Sequence, residues 1–123
     1  MKRRNRHHIL YPRKAWLRLG PVGTYMRGVF IIRVNSKLHE ELHHKIDPTL
    51  GGFVWSRRLP RKCTLTYLEK ELRRNEHEVK ELKPVEKIDW LMSRLSYDDN
   101  HSHWLKTMLR RQREFLIEHQ EEI

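Results

Sequence analysis

The stretch VFIIRVNSKLHEELHHKIDP, residues 29–48, constrains the fold more than any other part of this 123-residue chain. Val29 to Val34 are almost entirely β-branched or aromatic, the composition of a strand. With no linker the pattern then changes. Asn35 or Ser36 can cap a helix, Glu40 and Glu41 favour its early turns, and Asp47-Pro48 ends it. Leu38, Leu42 and Ile46 recur every four residues and should face a core. A strand that passes straight into an amphipathic helix points to the α+β class.

Upstream, HHILY (residues 7–11) reads as a second short strand ended by Pro12, and a hairpin could join the two strands. The intervening RKAWLRLGPVGTYMRG holds Gly20, Pro21, Gly23 and Gly28, which predicts a long, partly ordered turn. Downstream, PTLGGFVWSRRLPRK is a turn-rich connector, after which the chain becomes helical. Thr66 with Glu69 resembles a capping box, and Leu65, Leu68, Leu72, Val79 and Leu82 form an apolar stripe as far as Pro84. Val85, Ile88, Leu91, Met92 and Leu95 mark another helix. Trp104, Leu105, Met108, Leu109, Phe115 and Leu116 mark a final one, opened near Asn100 or Ser102. The expected architecture is an N-terminal β-hairpin plus helix, residues 1–62, with a helical extension, residues 63–123, packed on it. A chain of this length buries one modest core, so the two parts should form one compact domain.

Charge divides the chain at the same place. Residues 1–62 carry 15 basic and 3 acidic side chains, whereas residues 63–123 carry 11 and 13. The excess therefore lies in the first half, and a polyphosphate partner is its simplest use, because each neutralised phosphate releases a counterion. A solvated basic surface is the plainer alternative. The single cysteine, Cys63, excludes an intramolecular disulfide and a cysteine-based zinc site. No apolar run suggests a membrane span or secretory segment, so an intracellular, cytoplasmic protein is expected.

Nine histidines are present, and four of them are arranged suggestively. His7 and His8 lie on the first strand, and His39 and His43 lie one turn apart on one face of the helix. If the helix folds back across the strands, His7 or His8 can approach His39 and His43. Three imidazoles could then converge on one divalent metal ion such as zinc or nickel. His44 could replace His43 or face solvent.

The order HHILYP, second strand, then HEELH resembles the HNH, or ββα-metal, nuclease superfamily, and most closely its colicin-type DNase branch. The resemblance covers about residues 4–46, with a longer interval between His8 and His39 than the colicin-type pattern has. It implies a ββα-metal-like module that hydrolyses nucleic-acid phosphodiesters, DNA in the first instance. Carried over residue by residue, His7, His39 and His43 would hold one divalent metal (zinc, magnesium, manganese or nickel), and His8 would be the general base. Arg4, Arg6, Arg13, Arg57 and Arg58 are candidates to hold phosphates, on charge and proximity.

Trp16, Tyr25 and Trp55, interspersed with arginines, could stack on bases or pack in the core. Two other functions fit the same residues. One is a non-catalytic nucleic-acid binder that uses its C-terminal helices on a protein partner. The other is an inhibitor or accessory module of phage or mobile-element type.

Overall fold

The computed structural model describes residues 4–10, 13–46, 62–95 and 100–122. It is mostly helical, with one pair of antiparallel strands near the start of the chain. Strand β1 (Arg4–His8) pairs with β2 (Ile31–Asn35) in the register Arg4 to Asn35, Arg6 to Arg33 and His8 to Ile31. The first strand lies earlier than expected. Ile9 and Leu10 have left the ladder and are fully buried, although the Ile9 N–H still donates to the Phe30 carbonyl at 3.2 Å.

The segment expected to be a long turn instead forms two helices, α1 (Arg13–Leu17) and α2 (Gly20–Val29). Two of its glycines have distinct conformational or packing reasons. Gly20 takes a positive φ of 68° where the chain reverses between the helices. At Gly23, any Cβ would collide with the Trp16 carbonyl oxygen, so the two helices can approach this closely only without a side chain there. Pro21 sits in the first turn of α2, where its missing N–H has no intrahelical partner to lose.

Helix α3 (Ser36–Ile46) follows β2 directly, as the sequence pattern predicts. Asn35 caps it, its Oδ1 accepting the Leu38 N–H at 2.9 Å. Leu38, Leu42 and Ile46 are buried. Asp47, Pro48 and most of the expected connector lie outside the described residues.

Four further α-helices follow among the described residues, α4 (Lys62–Arg74), α5 (Glu76–Glu81), α6 (Pro84–Arg94) and α7 (Asn100–Glu118), and a short 3-10 helix, Gln120–Glu122, comes after them. Thr66 lies inside α4 and does not cap it. Pro84 opens α6, as expected. Apolar side chains from both halves of the sequence merge in one core, from Ile9, Met26 and Phe30 to Leu68, Ile88, Leu91 and Leu109. Trp16, Phe30 and Trp90 form a tilted stack with ring centroids 6.5 and 6.1 Å apart. Trp16 is fully buried and its Nε1–H donates to the Leu10 carbonyl at 2.6 Å, so it is a core residue and no platform for bases.

Polar contacts tie the later helices to the earlier ones. Lys87 of α6 donates from Nζ to the Val29 carbonyl at the end of α2, 2.9 Å away, and burial lowers the pKa of this ammonium. Arg73 of α4 lies over the Tyr25 ring of α2, its guanidinium carbon 4.5 Å from the ring centroid. Helix α7 lies against α6 and α3. Its Arg111 Nη1 donates to the Ile46 carbonyl, 2.7 Å away at the end of α3. No helix among the described residues is long and apolar enough to cross a membrane.

Candidate metal centre

Successive side chains of a strand point to opposite faces, so β1 sends Asn5 and His7 toward α3 and turns Arg6 and His8 away. The burial pattern agrees: His7 is only 1% exposed, Arg6 is exposed and His8 is half-buried. On β2, Ile32 and Val34 are buried and Arg33 between them is exposed. The sheet therefore has an inner face against α3 and an outer, cationic face.

Helix α3 meets the inner face with His39 and His43, which the four-residue spacing places side by side. The His7 ring lies edge-on to both, with centroids 5.2 Å from each, and the His39 and His43 centroids are 4.7 Å apart. One ring nitrogen from each of the three lies within 4.8 Å of the others. The Nε2 atoms of His39 and His43 are 3.0 Å apart. Two nitrogens bound to one tetrahedral zinc ion at about 2.0–2.1 Å would be roughly 3.3 Å apart. Little movement separates the two arrangements.

The protonation states suit a cation. Burial pushes the His7 pKa down from 6.5 to about 3, helped by the neighbouring His43, His39 and His8 and opposed by a hydrogen bond to Gln112. Burial also lowers His39, and burial followed by the charges of His39 and His44 lowers His43. All three rings are therefore neutral at pH 7 and keep a lone pair to donate. A metal binds the neutral ring, so this environment favours it over a proton.

The hydrogen bonds identify the free lone pairs. His7 Nε2 meets Gln112 Oε1 at 2.8 Å, whereas His7 Nδ1 is buried with no hydrogen-bond partner. Such an orphaned nitrogen beside two more imidazoles is what a metal ligand looks like without its ion. Asn5 Nδ2 lies 3.2 Å from His39 Nδ1. With the amide donating there, His39 carries its proton on Nε2 and shares it with His43. Turning the Asn5 amide over would present Oδ1 instead, draw the proton to Nδ1 and free Nε2 for a metal.

Of the residues singled out in the sequence, His7, His39 and His43 come together. His8 does not join them: it lies on the outer face, where Arg27 Nε donates to its Nε2 at 2.9 Å. Arg6 and Arg33 are directly opposite each other across the strands. No carboxylate among the described residues pairs with Arg6, Arg27 or Arg33. Arg4 lies in β1 and Arg13 opens α1, while Arg57, Arg58 and Trp55 lie outside the described residues. His44 is exposed.

Sequence reasoning missed Asn5, Gln112 and Arg33, and it met Arg27 only as one of the arginines interspersed with the aromatics, not as the partner of His8. Only Gln112 left a trace, as a polar residue within the apolar stripe Met108, Leu109, Phe115 and Leu116. No protein family, no curated protein and no solved structure matches this chain.

Proposed function

We propose that the chain is a metal-dependent nuclease of the ββα-metal kind, hydrolysing nucleic-acid phosphodiesters. The single observation behind this reading is the meeting of His7 with His39 and His43 between a strand pair and the helix that follows it. That is the order of parts that the resemblance to HNH nucleases implies. The two helices α1 and α2 occupy the long interval between His8 and His39.

His7 would offer Nδ1 to a divalent ion, and His39 and His43 would each offer Nε2. A divalent ion held there supplies Lewis acidity to a phosphate oxygen and to the departing 3′ oxygen. The outer-face cations Arg6, Arg33 and Arg27 would draw the polyanion to the strand pair and hold neighbouring phosphates. The resemblance gives His8 the part of general base, taking a proton at Nε2 from the water that attacks phosphorus as the bond to the 3′ oxygen breaks; because His8 lies across β1 from the triad, the phosphodiester would have to reach both faces at the edge of that strand. The His8 lone pair already accepts a hydrogen bond from Arg27, so catalysis requires Arg27 to turn from His8 toward a phosphate. That same bond favours a second reading, in which the chain holds a metal and binds nucleic acid without cutting it.

Supercoiled plasmid incubated with the protein and Mg²⁺, Mn²⁺, Zn²⁺ or Ni²⁺ separates the two. Nicking that requires the metal and is abolished by His8→Ala and by His39→Ala is the expected result. Gel retardation without nicking under every metal overturns the nuclease and leaves the binder.

A further inference from the structure

The triad needs His7 to present Nδ1 without its proton, and a residue remote in sequence determines that. Gln112 of α7 is fully buried and lies 105 positions from His7. Its amide nitrogen donates to two backbone carbonyls, Ile9 O at 3.0 Å and Met108 O at 3.3 Å. A carbonyl cannot donate, so the NH₂ end of the amide must face these two oxygens, and the usual ambiguity in orienting a glutamine is removed. Oε1 is thereby turned onto His7 Nε2 at 2.8 Å. An amide oxygen there requires an N–H opposite it, and in a neutral ring the lone pair must then sit on Nδ1. Nδ1 is the buried nitrogen that lacks a partner beside His39 and His43.

We propose that Gln112 is a positioning residue for the metal centre, acting through His7 as a tautomer clamp. The inference rests on reading the triad as a metal site. Without the clamp the ring is free to carry its proton on Nδ1, where the N–H would point at the other two imidazoles and exclude a cation. The Ile9 carbonyl belongs to the residue that follows β1, so the same amide fixes the end of that strand on α7. The partners of metal-bound histidines usually tune affinity by about 10–100-fold, and we expect that range here.

The test uses the metal-free full chain and Zn²⁺ as the probe. Long-range ¹H–¹⁵N correlation spectra at neutral pH should show His7 as a single tautomer, protonated at Nε2 and bare at Nδ1. Gln112→Met keeps the shape and removes both donor and acceptor. It should lose the single tautomer and bind Zn²⁺ about 10–100-fold more weakly by calorimetry, with its helical circular dichroism retained. Gln112→Glu, its buried carboxyl protonated, keeps an acceptor for His7 Nε2–H and a donor for the Ile9 carbonyl, and should restore the tautomer and bring Zn²⁺ affinity back to near that of the unaltered chain. Should the Met variant fail to fold, the spectrum of the unaltered chain and the Glu variant decide. Zn²⁺ uptake by a chain whose His7 is protonated at Nδ1, or undiminished affinity in a folded Met variant, overturns the role of Gln112 alone. The expected tautomer with no Zn²⁺ uptake overturns the metal reading, and the positioning role with it.

Discussion

The two faces of the strand pair hold neighbouring histidines in opposite circumstances. On the inner face His7 is sealed from water, its pKa lies near 3, and its neighbours are imidazoles and an amide. On the outer face His8, one residue later, sits among Arg27, Arg6 and Arg33. The difference arises from strand alternation and from what packs on each side. It teaches that an HH pair on a strand is two separate chemical environments, one that keeps an imidazole unprotonated by burial and one that sets it beside guanidinium groups.

Removing an inner-face ligand should have the largest effect. His39→Ala should lower Zn²⁺ or Ni²⁺ affinity by more than the roughly 100-fold associated with supporting residues, while Arg33→Gln on the outer face leaves it unchanged; calorimetry on both variants checks this. A metal affinity that fell equally in both would erase the distinction between the faces.

Acid should come next. The folded-state pKa of His7 lies below its unfolded value of 6.5, so above that pH neither state carries the proton and stability is full. As pH falls, the unfolded chain takes up a proton that the folded chain refuses. Stability is then lost by up to about 1.4 kcal/mol per pH unit until about pH 3. His39 and His43 act with the same sign. Urea melts of the metal-free protein at successive pH values should show this slope, His7→Asn should flatten it, and Arg6→Gln should not.

The outer face should govern salt dependence. Replacing Arg33 or Arg6 by Gln should reduce the slope of log affinity for DNA against log salt by about 1 each. Slopes that do not change would show that these guanidinium groups meet solvent only.

The smallest effect concerns the bare fold. Arg6 and Arg33 are like charges directly across the strands, so Arg33→Thr should stabilise the nucleic-acid-free protein by about 0.2–1 kcal/mol. A loss of stability instead would mean that the pair is already neutralised by its surroundings.

The parts of the site that depend on local periodicity were legible in the sequence. Asn35 as the cap, the buried row of Leu38, Leu42 and Ile46, and the adjacent row of His39 and His43 all follow from α-helical spacing within a dozen residues. What depends on tertiary contact was not. Gly20 and Gly23 resemble turn residues in a sequence, yet Gly23 is needed because the Trp16 carbonyl of a neighbouring helix lies against it. Whether His7 or His8 would face α3 required the strand register, and β1 begins and ends earlier than the apolar run HHILY suggests. Arg27 reaches His8 only because α2 exists where a turn was expected. Gln112 lies in another helix altogether, and no spacing rule links it to a histidine at the other end of the chain.

Helix α7 grips the rest of the protein by more than its apolar stripe, since Arg111 closes the end of α3 and Gln112 reaches the strand beyond it. During translation His7, His39 and His43 all leave the ribosome long before that helix does. Under the role proposed for Gln112, a nascent chain that has not yet reached residue 112 would lack the group that sets which nitrogen of His7 is bare.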